Sequence, residues 1–146
     1  MTLRIATAIA ATAVALPAFA ETQASGDAAA GETAFNMCRA CHKIVDDEGN
    51  AIVNGGPVGP NLYGVTERGA GGVEDFAYSD VMMAAGEAGL EWTEETFVAY
   101  VQAPTKYLQE QSGESGRGKM TYKVRSEEDA KDLWAYLVSV DSGGDS

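Results

Sequence analysis

Cys38-Arg39-Ala40-Cys41-His42 constrains this chain more than any other stretch, because it holds both cysteines and the only histidine of the 146-residue sequence. Two thiols three positions apart, with an imidazole directly after them, form the pattern by which haem c is attached. Each thiol can add to a vinyl group of the porphyrin, and the adjacent ring nitrogen can then bind the iron. A thioredoxin-like redox pair shares Cys-x-x-Cys but expects a preceding strand and a sheet-based fold, and neither is evident. A structural zinc site needs about four protein ligands, which two Cys and one His cannot supply. The expected cofactor is one haem c, covalently attached through Cys38 and Cys41, with His42 on the iron.

Haem c is attached outside the cytoplasm, and the N-terminus agrees with export. A lone Arg4 precedes the apolar run Ile5 to Pro17, and Ala18-Phe19-Ala20 supplies the small-x-small pattern of a cleavage site. The run is shorter than the roughly 20 residues of a membrane span. A cleaved signal peptide over 1–20, one domain over 21–140, a flexible tail over 141–146 and a periplasmic location are therefore expected. The formal net charge of -12 makes nucleic acid an improper partner. Lys106, Arg117, Lys119, Lys123, Arg125 and Lys131 nevertheless share one C-terminal stretch. A local basic face and scattered solvated charge fit that stretch equally well.

Secondary structure reads as all-α with long loops. Asp27 is placed to cap a first helix that carries Ala28, Ala30, Ala34, Phe35 and Cys38, so the cysteines sit at its end. From Ile44 to Gly64 the abundance of Gly, Asn, Asp and Pro predicts an irregular excursion. A short helix is expected from Ser79 and a clearer one from Thr93, ended by Pro104. The polar stretch Gln109 to Met120 predicts a surface loop. Ser126-Glu127-Glu128-Asp129 then caps a final helix with Ala130, Leu133, Trp134, Leu137 and Val140 on one face. These helices carry too few apolar residues to fill a core alone. A haem would supply the missing bulk.

With one histidine, the sixth iron position falls to another residue type or stays open. Met37 is next to the tether, and Met82 and Met83 lie in a predicted helix, where methionine more often packs a core. Met120 follows a glycine-rich loop able to carry its thioether across the haem, and is the favoured ligand. His/Met ligation suits an electron carrier, because both oxidation states keep the same ligands. An open iron site that binds gas or peroxide is the rival, but no second histidine is present to act as a distal base.

The chain resembles class I cytochromes c, and within them the bacterial cytochrome c2 group, from about Gly31 to Val140. The likeness is carried by the haem motif, by Gly59-Pro60-Asn61-Leu62-Tyr63-Gly64, Leu90-Glu91-Trp92, Pro104-Thr105-Lys106-Tyr107 and Gly118-Lys119-Met120-Thr121. It implies a small fold of three main helices, with long loops wrapped around one covalently bound haem. It also implies that the Pro60 carbonyl accepts from the His42 ring, that Arg68, Tyr78 and Trp92 hold the haem propionates, that Tyr107 stands beside the methionine sulfur and that Met120 is the axial ligand. Gly31, Phe35, Trp134, Tyr136 and Leu137 resemble the contact between first and last helices.

The chain departs from the pattern at Gly118, where relatives commonly have a threonine that bonds a propionate, and at Met82, where many have an asparagine in a buried polar network. The insertion from Gln109 to Gly118 suits the c2 group. The resemblance implies a monomeric carrier, not an enzyme, moving electrons between a membrane cytochrome bc complex and a photosynthetic reaction centre or terminal oxidase. Arg39, Lys43, Lys106, Lys119 and Lys123 could steer its docking.

Overall fold

The computed structural model describes residues 24–143. The expected signal peptide lies outside the described residues, as does the end of the expected tail. Five α-helices dominate: α1 (Ala28–Ala34), α2 (Asp80–Glu87), α3 (Glu94–Gln102), α4 (Pro104–Ser112) and α5 (Glu127–Asp141). One small antiparallel hairpin, β1 (Ile44–Val45) with β2 (Ala51–Val53), is the only sheet among the described residues. The fold is all-α, as the sequence predicts.

Helix starts follow the capping residues. The Asp27 carboxylate accepts from the N–H groups of Ala29 and Ala30, Ser79 from Met82 and Ser126 from Asp129. At Thr93 the capping is reciprocal, with Thr96 accepting from the Thr93 N–H and Thr93 from the Thr96 N–H. Each such cap stabilises its helix by about 1 kcal/mol.

Three segments depart from expectation. Pro104 was expected only to end α3, yet it also begins α4, where the missing N–H would have had no helical partner. The whole of Gln109 to Met120 was expected to be loop, but α4 continues to Ser112 and stops at Gly113, whose φ of 71° is left-handed and whose N–H reaches the Gln109 carbonyl. Within Ile44 to Gly64, the Asp and Gly that read as irregular build the hairpin turn instead. Asp46 accepts from the N–H groups of Glu48 and Asn50, and Gly49 turns the chain at a φ of 87°.

The core closes where α1 crosses α5. Gly31 is buried there, and a Cβ at that position would lie 1.9 Å from the Asp132 carbonyl oxygen, so only glycine lets the two backbones approach this closely. Phe35 and Tyr136 stack beside the crossing at 5.5 Å. Trp134, expected at the same contact, turns toward Phe97 on α3, at 5.3 Å between centroids. Asp141 was expected in a frayed tail but is the last residue of α5. Its carboxylate accepts from the N–H groups of Gly64 and Thr66 and from the Thr66 hydroxyl.

Candidate functional site

The cysteine motif sits on a 3-10 turn, Phe35–Ala40, that continues α1. The Cys38 carbonyl accepts from the N–H groups of Cys41 and His42, which folds the histidine back over the turn. A glycine-rich loop lies against it: the Gly56 N–H donates to the Arg39 carbonyl at 3.0 Å and the Gly59 N–H to the Cys41 carbonyl at 2.8 Å. These glycines are required by proximity. A Cβ at Gly55 would stand 1.8 Å from the His42 carbonyl oxygen, and one at Gly59 would stand 2.3 Å from His42 Cε1.

That loop delivers the next residue, Pro60, whose carbonyl oxygen lies 2.9 Å from His42 Nδ1. A carbonyl only accepts, so Nδ1 carries the proton and Nε2 keeps its lone pair. Burial holds the His42 pKa below the usual imidazole value. The Pro60 carbonyl opposes this, and the charge of Arg68 adds to it. The ring is thus neutral and oriented, the state a metal ligand needs.

His42, Cys38 and Cys41 line one cavity together with Pro60, Arg68, Tyr78, Trp92 and Met120. The structure therefore brings together every expected site residue but one. Tyr107 packs against the core from α4 without lining the cavity, while Leu108, one residue on, is buried in the wall. Of Met82 and Met83, both expected to pack in the core, Met82 is buried and lines the cavity, whereas Met83 is exposed. Residues that sequence reasoning did not place there include Phe76, Phe97, Tyr100, Val101 and Leu108. The helical spacing of Phe97, Tyr100 and Val101 on α3 signals burial but not what they face.

The wall has a consistent electrostatic character. Arg68 and Lys119 line it, and among the described residues no aspartate or glutamate does, although the chain as a whole carries a net charge of -12. Arg68 gives Nη1 to the Tyr63 carbonyl at 2.5 Å and Nη2 to the Asn61 carbonyl at 2.6 Å. Of its five N–H donors, three remain. The Tyr78 hydroxyl accepts from the Val73 N–H at 3.2 Å, so its own hydrogen is also free to donate. Trp92 lies against Tyr100, 5.0 Å between centroids. An apolar, aromatic cavity with spare donors and no carboxylate fits a large flat group that brings its own carboxylates, as haem does. A second depression, between α1 and segment 121–125, shares Met37 and Cys38 but holds Asp129 and lacks the histidine.

Thiol redox chemistry fits less well. Burial pushes the Cys38 thiol up to about 11, and Cys41 beside it adds to the rise, whereas a dithiol catalyst needs a readily formed thiolate. A helix, not a strand, precedes the motif. No cluster of three or more His, Cys, Asp or Glu able to hold a metal ion occurs among the described residues.

The comparisons agree with this geometry. The chain is 56% identical over 118 residues to cytochrome c2 of Rhodovulum adriaticum, covering 80% of this chain and 94% of the relative. It is 50% identical to cytochrome c-551 of Roseobacter denitrificans across the full length of both. The solved structure of cytochrome c2 from Rhodobacter sphaeroides superposes with a TM-score of 0.75 at 52% identity, covering 77% of this chain and 94% of that one. No family model matches the chain. The fold is that of a class I c-type cytochrome, and within that class the chain belongs to the cytochrome c2 group. It is thereby a haem c electron carrier. Among the described residues, no helix is long and apolar enough to cross a membrane.

Proposed function

We propose that this protein is a periplasmic shuttle that carries single electrons on one haem c, tethered by Cys38 and Cys41 and ligated by His42 and Met120. The observation that carries this reading is that a neutral histidine, fixed by Pro60, shares a carboxylate-free cavity with a thioether from a distant segment. When bound, the haem supplies an iron that changes oxidation state by one electron. The chain's own residues do the rest. Pro60 orients the ring and raises its basicity as a ligand. The soft Met120 thioether favours the reduced state relative to harder ligands. Arg68, Tyr78 and Trp92 have donors that suit the two propionates, whose burial unpaired would be costly. The aromatic wall keeps water away, so little reorganises when the charge changes.

Partners follow from the same reading: a membrane cytochrome bc complex as donor and a photosynthetic reaction centre or terminal oxidase as acceptor, met as a monomer. Removal of residues 1–20 would precede this. The test is the absorption spectrum of the exported protein beside that of Met120→Ala. The parent should show sharp reduced haem c bands and, when oxidised, the weak band near the red edge that reports methionine sulfur on ferric iron. The variant should lose that band and bind added imidazole. A parent without the band would displace Met120 and favour an open iron site, and a colourless protein would return the cysteines to thiol chemistry.

A further inference from the structure

The residues that line the cavity are not the only ones on which its shape depends. Segment 60–68 carries both the Pro60 carbonyl that fixes His42 and the Arg68 guanidinium in the cavity wall. It contains little regular structure, only the 3-10 turn Val65–Glu67, so its position must be set by bonds from outside. Three braces are nearby. Arg68 folds back onto the Asn61 and Tyr63 carbonyls, the Asn61 amide exchanges hydrogen bonds with the backbone of Val45 at 3.0 and 2.7 Å, and the Leu62 N–H donates to the Lys43 carbonyl at 3.0 Å. A fourth brace comes from the far end of the chain. Asp141 accepts from the Gly64 N–H at 2.7 Å, the Thr66 N–H at 3.1 Å and the Thr66 hydroxyl at 2.7 Å.

We propose that Asp141 is a positioning residue for electron transfer, holding segment 60–68 so that Pro60 stays on the His42 ring and Arg68 stays in the wall of the cavity that would hold the haem. The inference rests on the haem reading above and extends it to a residue outside the cavity wall. All three partners donate, so an ionised carboxylate satisfies them and an amide cannot do so without turning its own N–H groups toward donors. Gly64, at a φ of 72°, is the pivot at which the segment turns, and its N–H is one of the bonds. Asp141 also acts at a distance, because its negative charge offsets part of the positive charge of Arg68. Loss of the carboxylate therefore acts twice in one direction. A slackened Pro60 contact makes His42 a weaker donor to iron, and an unbalanced Arg68 disfavours the more positive oxidised state.

The test compares the parent with Asp141→Ala, Asp141→Asn and Ser126→Ala. Ser126 caps the opposite end of the same helix through the Asp129 N–H and bonds nothing in 60–68, so it reports loss of helix stability alone. The parent's haem bands are recorded first, which separates failure of the haem reading from failure of this one. The readouts are the midpoint potential and the solvent exchange of the His42 Nδ1 proton, followed by NMR in the reduced protein. Asp141→Ala should raise the potential and speed that exchange by at least about tenfold, with Asp141→Asn, which keeps one acceptor, lying between it and the parent. Ser126→Ala should lower the melting temperature and leave both readouts near the parent's. If Asp141→Ala does not fold, Asp141→Asn alone decides. A carboxylate variant that moves the potential and the ring-proton exchange no more than Ser126→Ala does would overturn the proposal and leave Asp141 a helix-end anchor.

Discussion

Replacing Gly59 by alanine tests whether the glycine loop sets the histidine. The added Cβ would lie 2.3 Å from His42 Cε1, 2.5 Å from Nδ1 and 2.7 Å from Nε2. It therefore meets the ring itself and not the end of a flexible chain. The closest approach is roughly 1 Å short of ordinary van der Waals contact, so either the ring or the loop must retreat by that much. If the ring moves, the 2.9 Å bond to Pro60 is stretched or lost. If the loop moves, the Gly59 N–H leaves the Cys41 carbonyl, now 2.8 Å away. Overpacking costs about 1–3 kcal/mol and one lost, partly buried hydrogen bond about 1 kcal/mol. A total of about 3 kcal/mol lowers the melting temperature by roughly 10 °C in a domain of this size. Thermal unfolding followed by circular dichroism measures it, with the red-edge absorption band as a second reading on the same sample. A variant that melts within about 2 °C of the parent and keeps that band unchanged would refute the argument, because it would mean the loop and ring are not in contact.

Gly31→Ala drives a methyl group into the Asp132 carbonyl, from 1.9 Å, so α1 and α5 must part. A loss of about 2–3 kcal/mol in urea denaturation is expected, with haem ligation retained in the folded fraction. Lys119 lines the cavity and bonds the Ala77 carbonyl, and exposed Lys123 lies near it in sequence. Rising ionic strength should therefore slow reduction by a cytochrome bc complex, whereas a rate indifferent to salt would rule out local steering.

Much of the scaffold was legible because capping is local chemistry. Asp27, Ser79, Thr93 and Ser126 announce helix starts by what their own side chains can accept within three residues. Pro104 misled because proline both ends one helix and suits the first position of another, and the single residue Ala103 between α3 and α4 is too short to be seen as a boundary. The hairpin was hidden for a related reason, since Asp46, Gly49 and Asn50 form a tight turn with the composition of a long loop. At the site, the haem motif and the resemblance reached His42, Pro60, Arg68, Tyr78, Trp92 and Met120, all of which line the cavity. Tyr107 does not line it, because its side chain points elsewhere on α4 than that of Leu108. Asp141 was illegible because its partners are 75 to 77 positions away. No window of sequence shows such a pairing.

The crossing of α1 with α5 also bears on how the molecule is made. The Asp27 N–H bonds the Asp132 carboxylate 105 positions later, and Gly31 fits only against that same turn of α5. A chain built from its N-terminus has Cys38, Cys41 and His42 in hand long before residues 127–141 exist. Until those residues arrive, α1 has no partner to bury its apolar face, and a helix of seven residues is too short to persist alone. The core is thus sealed by the last helix in the chain, and the cysteine motif stays pliable until that helix docks onto α1. What keeps the motif open is therefore the undocked state of a helix far along the chain, not anything in the motif itself.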